Sequence, residues 1–254
     1  MTSRAGFGVP VSPLRYEDLE ARVLEWMGGG RCRTVMTMSF PMLGPYRRNP
    51  EYHAAMNASE VVLPDGMAVV WLSRWCGASI PERLAGPDFL ERFSRVAAEQ
   101  GLRYCLLGST PEVLRRMAHR FEREFPGLVL AATISPPFGE WGPDVDKELV
   151  AAVNASRADI LWVGITAPRQ EIWLNRHRRH LTPPVAAAVG AAFDFFAGTR
   201  KRAPQWMRRM GLEWLHRVVR EPLRLLPRYM RSLPAVFSIL AGCRRPPRSG
   251  SGRP

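Results

Sequence analysis

The 254-residue sequence predicts an α/β fold: a Rossmann-like, mostly parallel sheet with helices on both faces, plus a basic helical C-terminal appendage. Short apolar segments alternate with helix-length amphipathic segments as far as residue 190, which is the order expected of a parallel sheet. After Gly198 the sequence becomes aromatic and rich in arginine, and Pro204, Pro222, Pro227 and Pro234 divide it into short helical segments.

The first half of the core begins with an amphipathic helix. Leu19, Val23 and Met27 recur every four residues in it, and the three glycines at 28–30 end it. Asp65 follows the second of two apolar strands and precedes a helix. In order, the predicted elements are helix 14–27, strand 34–40, helix 51–58, strand 60–64, helix 66–77 and helix 87–100.

The second half of the core alternates more regularly. Thr110 is a suitable N-cap and Pro111 fits a first helical turn, so a helix begins there. Pro168 opens the last core helix in the same way. In order, the predicted elements are strand 103–108, helix 110–125, strand 128–134, helix 144–155, strand 159–164, helix 168–180 and strand 185–190.

Positive charge is concentrated at the C-terminal end. The chain has 36 Lys and Arg residues, 23 acids and a formal net charge of +13. Residues 200–254 hold 14 of those bases and only two of the acids, so the rest of the chain is nearly neutral. A basic segment on a neutral body indicates an anionic partner: a membrane surface, a nucleic acid or phosphates.

These patterns divide the chain into four parts. We expect a flexible N-terminal arm over 1–13, an α/β core over 14–199, a basic helical appendage over 200–243 and a disordered tail over 244–254. In the appendage, arginines recur every three or four residues and are interleaved with aromatic and aliphatic side chains. Such a face is either the solvated side of a packed helix or an element that lies on a membrane surface.

Cysteines and apolar segments indicate the compartment. Cys32, Cys76, Cys105 and Cys243 lie far apart without a CxxC pair, so we predict reduced, mostly buried thiols in a cytosolic protein. The N-terminus shows no signal-peptide pattern. No apolar segment approaches the ~20 residues that a spanning helix needs. The sequence therefore predicts a protein that can lie on a membrane but does not cross it.

Several candidate site residues fall at the ends of predicted strands. Ligands of parallel sheets bind beyond the carboxyl ends of the strands, so Asp65, Gly108, Gly164 and Gly190 are expected to line one crevice. Asp65 could cap the helix that follows it. As a carboxylate in a cleft, it could instead accept a proton from a sugar or alcohol hydroxyl. The spacing alone does not decide between these roles.

Two further motifs have both a structural and a functional interpretation. Arg83 and Asp88 flank a Gly-Pro turn, where the arginine could clamp a phosphate or carboxylate, or the acid could simply favour a first helical turn. Gln170 and Glu171 open a helix after a strand, where they suit recognition of hydroxyl groups or uracil, or routine capping. The DVD sequence at 144–146 is better explained by acids at a helix start than by a metal site, so no metal is predicted.

Together these segments resemble the WecG/TagA/CpsF family of bacterial glycosyltransferases. The resemblance covers most of residues 34–230, in order. The matching segments are PDGMAVV at 64–70, RLAGPD at 83–88, LLGS at 106–109, DILWVGITAPRQE at 159–171, VGAAFDFFAGTRKRAPQWMRRMGLEW at 189–214 and RVVREPLRLLPRY at 217–229.

The resemblance implies an inverting transfer of N-acetylmannosamine or a related hexose from a UDP-sugar to a polyprenyl-diphosphate-linked saccharide. Such transfers build wall teichoic acid, enterobacterial common antigen or exopolysaccharide. The enzyme is expected to need no cofactor and no metal, and to lie in the cytoplasm on the inner face of the cell membrane. A homo-oligomer is compatible with the resemblance. The alternative function is nucleic-acid binding, for which the basic tail is the only support.

The resemblance also assigns site residues. Asp65 is expected to be the general base, with Thr37 beside it. The expected substrate-binding residues are Arg83, Gly86, Asp88, Gly108, Gln170, Glu171, Asp194 and Arg202. The arginines expected to reach lipid diphosphate or the membrane are Arg217, Arg224 and Arg228. Ser39, Ala68 and Thr166 depart from the usual Asn, Gly and Gly of the family, so the donor sugar stays open.

Overall fold

The computed structural model describes residues 8–243, apart from the side chain of Arg209. Six strands and thirteen α-helices are found in this range, with a short 3-10 helix at Phe40–Met42. The strands are β1 Arg33–Met38, β2 Val61–Pro64, β3 Arg103–Gly108, β4 Val129–Ile134, β5 Ile160–Gly164 and β6 Val185–Ala188. The helices are α1 Tyr16–Trp26, α2 Leu43–Arg48, α3 Pro50–Ala58, α4 Met67–Trp75, α5 Gly86–Glu99, α6 Pro111–Glu124, α7 Pro143–Ala155, α8 Arg169–His177, α9 Ala192–Phe196, α10 Gln205–Arg209, α11 Glu213–Arg220, α12 Pro222–Met230 and α13 Leu233–Gly242.

The six strands form one parallel sheet in the order β2-β1-β6-β5-β3-β4. This confirms the α/β prediction. Thr37 of β1 lies opposite Leu63 of β2, and Val35 lies opposite both Val61 and Ala187. Because all strands run the same way, their carboxyl ends lie at one edge of the sheet. The loops that follow the neighbouring strands β2, β1, β6 and β5 therefore lie side by side at this edge.

Successive strand residues alternate between two hydrophobic cores, one on each face of the sheet. Met36, Leu107 and Val163 belong to one core, where α2, α3, α4, α7, α8 and α13 pack. Leu106 and Trp162 belong to the other, where α1, α5, α6 and α9 pack. Side chains of a strand point alternately to opposite faces, so both faces of these strands are buried. This is why the strands read as continuous apolar segments.

The N-terminal segment corrects one prediction. From Gly8 onward the chain packs against the core instead of forming a flexible arm. Val9 and Val11 are completely buried, and Ser12 exchanges hydrogen bonds with the backbone of Val62. The prediction was wrong for residues 9–13 because the edge of β2 offers these residues both hydrogen bonds and apolar cover. The disordered tail predicted for 244–254 lies outside the described residues.

The C-terminal helices pack closely on the core. Ser232, which is fully buried, accepts a hydrogen bond from Gly44 N–H at 3.3 Å and donates one to the Pro41 carbonyl at 2.7 Å. Ala235 and Ile239 of α13 are buried in the core that contains α2 and α4. Within residues 8–243, no helix is both long enough and apolar enough to cross a bilayer. The C-terminal helices are thus present as predicted, and the last of them is part of the core.

The cysteine prediction was wrong for one pair. Cys76, at the end of α4, and Cys243, after α13, form a disulfide with their Cα atoms 5.2 Å apart. Cys32 and Cys105 are free and buried, as predicted. The two bonded cysteines are 167 positions apart in the chain, and only the packing of α13 against the core brings them together.

Candidate active site

A cleft of about 570 Å³ opens at the carboxyl ends of the strands. The ends of β1, β2, β5 and β6 line it, together with the 136–141 loop and helices α11 and α12. This is the edge at which parallel sheets bind ligands. Residues of the appendage therefore share one cavity with residues of the core, and the cleft is incomplete without α11 and α12.

Three of the four expected strand-end residues line this cleft, and Gly108 does not. Asp65, Gly164 and Gly190 line it, while Ser109 and Thr110 do so in place of Gly108. A side chain at Gly108 would come within 2.5 Å of the Gly164 backbone, and its φ is +131°. The glycine is required because the ends of β3 and β5 approach closely, so Gly108 is structural and not a ligand contact.

Asp65 faces the cleft without serving as a helix cap. Gly66 is the N-cap of α4, with φ +110°, and no side chain caps that helix. The Asp65 backbone N–H donates to the Met38 carbonyl at 2.9 Å, and its carboxylate accepts no hydrogen bond from the described residues. Burial raises the pKa of Asp65 to about 6, an effect that Arg83 opposes and Glu213 reinforces. A carboxylate with this pKa is ionised at neutral pH and can act as a general base.

Thr37 lies on the strand next to the one that precedes Asp65. It lines the cleft, and its hydroxyl donates to the Ala188 carbonyl at 3.5 Å. Gly86, at the start of α5, lies behind this wall and does not line the cleft. A Cβ there would be 3.3 Å from the Val189 carbonyl oxygen and 3.5 Å from Thr37 Cγ2. Gly86 therefore lets α5 pack close to β1 and does not contact the cavity itself.

Arg83, Asp88, Arg202 and Glu213 form a closed ring of ion pairs. Arg83 lies 2.8 Å from Asp88 and 2.8 Å from Glu213, while Arg202 lies 3.2 Å from Glu213 and also pairs with Asp88. The two arginines hold the pKa of Glu213 below its ordinary value against the effect of burial. Arg83 and Arg202 both line the cleft, and their expected role in substrate binding stays a prediction, since their guanidinium groups also pair with carboxylates. Asp88 does not line the cleft and closes the ring from α5.

A second set of arginines has fewer carboxylate partners. Arg217, Arg224 and Arg228 all line the cleft, as expected. Among the described residues Arg217 and Arg228 form no ion pair; Arg217 lies over the Phe195 ring, and Arg228 donates to the Ala167 carbonyl at 3.4 Å. Burial, Arg224 and Arg217 hold the pKa of Arg228 below its ordinary value. Positive charge that is not neutralised by protein carboxylates favours a bound anion.

Arg224 is tied to the remaining acids of this region. It pairs with Glu221, which lies 3.1 Å from Arg200, and Arg200 lies 3.3 Å from Asp194. Asp194 lines the cleft as expected, although its carboxylate is partly engaged by Arg200. These ion pairs connect Asp194 of α9 with Glu221 and Arg224 at the start of α12.

Gln170 and Glu171 form a buried pair in the first turn of α8. The Gln170 amide donates to Glu171 Oε1 at 2.8 Å, and both side chains are almost completely buried. Gln170 lines the cleft, whereas Glu171 lies behind it, so only the first can touch substrate. Gln170 Oε1 and Glu171 Oε2 have no hydrogen-bond partner within residues 8–243. Burial raises the pKa of Glu171 to about 7, against the hydrogen bond from Gln170.

Sequence reasoning missed three features of the cleft. Glu213 closes the ion-pair ring, Tyr229 stacks on Phe40 with ring centroids 5.6 Å apart, and the 136–141 loop forms one wall. The prolines and aromatics of that loop, between a strand and a helix, were the available signal for it. Ser39, Ala68 and Thr166, which differ from the usual residues of the family at these positions, line the cleft as well.

Within residues 8–243, no three His, Cys, Asp or Glu side chains converge in a way that could hold a metal ion. Asp146 accepts a hydrogen bond from Trp173 at 2.9 Å, and Asp144 pairs with Lys147 on the exposed first turn of α7. Both acids of the DVD sequence therefore have partners on or next to α7.

Asp65 thus shares the cleft with Arg217 and Arg228, two arginines that form no ion pair among the described residues, whereas Asp194 and Glu213 in the same cleft are paired with arginines. The comparisons with known proteins identify the class of protein. The sequence model described as "Glycosyl transferase WecG/TagA/CpsF family" matches residues 4–249. The chain belongs to this family and is a glycosyltransferase.

Two similar proteins are called "N-acetylglucosaminyldiphosphoundecaprenol N-acetyl-beta-D-mannosaminyltransferase". The one from Bacillus spizizenii is 30% identical over 187 residues, which cover 74% of this chain and 70% of the relative. The one from Bacillus subtilis is 30% identical over 178 residues, which cover 70% of this chain and 67% of the relative.

Proposed function

We propose that the chain transfers N-acetylmannosamine or a related hexose from a UDP-sugar to a polyprenyl-diphosphate-linked saccharide, with inversion at the anomeric carbon. The names of the two relatives support the acceptor class, because they specify a sugar linked to a polyprenol through diphosphate. The observation that carries the proposal is that Asp65 and three arginines of the appendage line one cleft.

The reaction needs a base at the acceptor hydroxyl. In our proposal Asp65 takes the proton of this hydroxyl while its oxygen forms a bond to the anomeric carbon. The bond between that carbon and the diphosphate oxygen breaks, and UDP leaves with the electron pair from the opposite face of the sugar. Asp65 is suited to this role because its carboxylate accepts no hydrogen bond from the described residues and its pKa is about 6. A positioned base contributes about 10²–10⁴-fold in rate.

The leaving diphosphate gains negative charge during this step. Arg217 and Arg228 line the cleft with Asp65 and carry no ion pair among the described residues. They are placed to offset that charge by hydrogen bonding, which stabilises the transition state when the donors are oriented in advance. Arg83 and Arg202 are not proposed for this role, since Asp88 and Glu213 occupy their guanidinium groups.

The acceptor's lipid would hold the enzyme at the inner face of the cell membrane. Large apolar side chains are exposed on α10 to α13. These are Trp206, Met210, Trp214, Leu215, Val219, Leu223, Leu226, Met230 and Phe237. Together with the basic charge of this region they would favour an anionic membrane surface, on which the appendage lies without spanning it.

A product assay tests this function directly. The purified chain is incubated with UDP-N-acetylmannosamine and a synthetic polyprenyl-diphosphate-N-acetylglucosamine, and products are measured by mass spectrometry and by UDP release. We expect one added N-acetylhexosamine and one UDP per product. A panel of other UDP-sugars tests the donor, since Ser39, Ala68 and Thr166 line the cleft. No transfer from any UDP-sugar would contradict the proposal.

Nucleic-acid binding is the alternative that the basic tail suggested. The cleft gives it no support, because Arg217, Arg224 and Arg228 line a cavity near Asp65. A thermal-unfolding comparison separates the two functions. UDP should raise the melting temperature, as expected of a ligand that binds only the folded state, and duplex DNA should not. A larger shift with DNA, abolished by salt, would favour the alternative.

A further inference from the structure

Glu171 is a buried carboxylate that has no role in the chemistry described above. It lies in the first turn of α8, behind the wall of the cleft, and is completely buried. Burial raises its pKa, and only the hydrogen bonds from Gln170 and from its own backbone oppose this effect, without any help from a cation. A carboxylate that is removed from water without a paired cation costs stability, so its presence calls for a different reason.

The hydrogen bond between Gln170 and Glu171 fixes which way the Gln170 amide points. Gln170 Nε2 donates to Glu171 Oε1 at 2.8 Å, and an ionised carboxylate can only accept. Gln170 Oε1 is therefore the amide atom left for another partner, and it has none within residues 8–243. At pH 8, above the Glu171 pKa of about 7, an amide turned the other way would place two acceptors against each other.

The Gln170 amide lies in the wall of the cleft, against the end of β6. A Cβ at Gly190 would be 3.3 Å from Gln170 Nε2 and 3.6 Å from Oε1, so a side chain there would crowd the amide. Gln170, Gly190, Thr37 and Asp65 all line the cleft. They belong to neighbouring strands or to the segments that follow them, in the order β2, β1, β6, β5. The free acceptor therefore lies in the same row of strand ends as Asp65.

We propose that Glu171 is a positioning residue, which holds the Gln170 amide so that Oε1 accepts a hydrogen bond from the transferred sugar. The inference rests on the proposed function, because it assumes that a UDP-sugar binds in the cleft. The partner would be a hydroxyl or an amide N–H on the sugar ring. An ionised diphosphate offers only acceptor oxygens, so an unpartnered acceptor in the wall suits the sugar and not the diphosphate.

Calorimetric titration at pH 8 with UDP-N-acetylmannosamine and with UDP tests this role. Glu171→Met cannot accept the Gln170 hydrogen bond. It should weaken binding of UDP-N-acetylmannosamine by about 10-fold, as expected when a hydrogen bond to a charged group is lost, and leave UDP binding unchanged. Glu171→Gln should restore most of the affinity, because its carbonyl oxygen can accept from Gln170 Nε2. The control is Glu51→Met, on an exposed side chain of α3 outside the cleft, which should change neither affinity.

A double-mutant cycle with Gln170→Leu separates positioning from a general structural effect. If Glu171 acts through the amide, Glu171→Met should cause no further loss of UDP-N-acetylmannosamine affinity in a chain that already carries Gln170→Leu. The same loss with and without Gln170→Leu would contradict the positioning role. Melting temperatures measured without ligand establish that each variant is folded.

Two other results would overturn the inference while leaving the proposed function intact. In the first, Glu171→Met binds UDP-N-acetylmannosamine as tightly as the unaltered chain. In the second, it loses affinity for UDP to the same extent, which would assign the amide to the nucleotide and not to the sugar. If the unaltered chain binds no UDP-sugar, the donor itself is wrong and the inference falls with the proposed function.

Discussion

Arg83 Nη1 lies 2.8 Å from Glu213 Oε2, and this ion pair joins the core to the first turn of α11 in the appendage. Both side chains are only 16% exposed. Arg202 and Asp88 complete the ring, so each of the two arginines has two carboxylate partners. The ring therefore fixes α11 beside the cleft, and with it Arg217, which is one helical turn further along.

Removing Glu213 should destabilise the chain and disturb the cleft. Glu213→Gln leaves Arg83 and Arg202 with one carboxylate between them, and we expect the free energy of unfolding to fall by roughly 1–3 kcal/mol, less than for a fully buried pair. Urea denaturation measures it. Glu112→Gln is the control, because Glu112 pairs with Arg115 and Arg116 on the exposed surface of α6. Equal stability of both variants would contradict a structural role for the ring.

Glu171 should make stability depend on pH. Its pKa rises from an ordinary value of 4.5 to about 7 in the folded chain because it is buried. The folded state therefore holds its proton more tightly, so this contribution is present below pH 4.5 and is lost as the pH rises through 7. Glu171→Gln has no proton to lose, so its stability relative to the unaltered chain should increase between pH 4.5 and 7.5. Urea midpoints across this range measure the difference, and a pH-independent difference would contradict it.

Arg228 should matter for diphosphate binding while Arg231 should not. Arg228→Gln removes a guanidinium group that lines the cleft, and charged hydrogen bonds contribute about 1.5–3 kcal/mol. We expect about a 10- to 100-fold loss of affinity for UDP and for inorganic pyrophosphate. Arg231→Gln makes the same change in net charge three residues later, on an exposed side chain outside the cleft. Similar losses in both variants would indicate a general charge effect.

The cysteine pairing can be counted chemically. Denatured but unreduced protein should take up two alkylating groups, at Cys32 and Cys105, and reduced protein should take up four. Cys243→Ser should allow α13 to separate from α4 more easily and lower the free energy of unfolding by about 2–5 kcal/mol under non-reducing conditions. Under reducing conditions the variant and the unaltered chain should be nearly equal. Four alkylated thiols without reduction would exclude the disulfide.

Much of the fold could be predicted because five of the six strands described here are mostly buried on both faces; the exception is the edge strand β4. The buried strands read as apolar segments, and the predicted strand 103–108 matches β3 in full. Helix α2 was missed since Gly44 and Pro45 lie within it, and helix α9 because it has only five residues. The prediction of a flexible arm was wrong for residues 9–13, although Val9 and Val11 alternate with other residues as in a strand. That pattern was too short to predict packing.

The site was harder to predict than the fold. Asp65 and Gln170 could be identified because they come after strands, and the neighbouring sequence alone shows which residues come after a strand. The pairing of Arg83 with Glu213 could not be identified, since Glu213 is 130 residues away and only folding brings it near. Whether an arginine is free for phosphate or is held by a carboxylate depends on such distant contacts. For the same reason the sequence did not show that Arg83 and Arg202, which line the cleft, also pair with carboxylates.

The central claim is that Asp65 is the general base, and the pH dependence of kcat/KM tests it most directly. Sugar transfer to a polyprenyl-diphosphate acceptor is measured from pH 5 to 8 for the unaltered chain, for Asp65→Asn and for the exposed control Asp144→Asn. The account predicts a rise through about pH 6 in the unaltered chain and the control, since Asp65 must be ionised, and a loss of about 10²–10⁴-fold in Asp65→Asn. A folded Asp65→Asn variant with near-normal turnover and the same pH profile would contradict it.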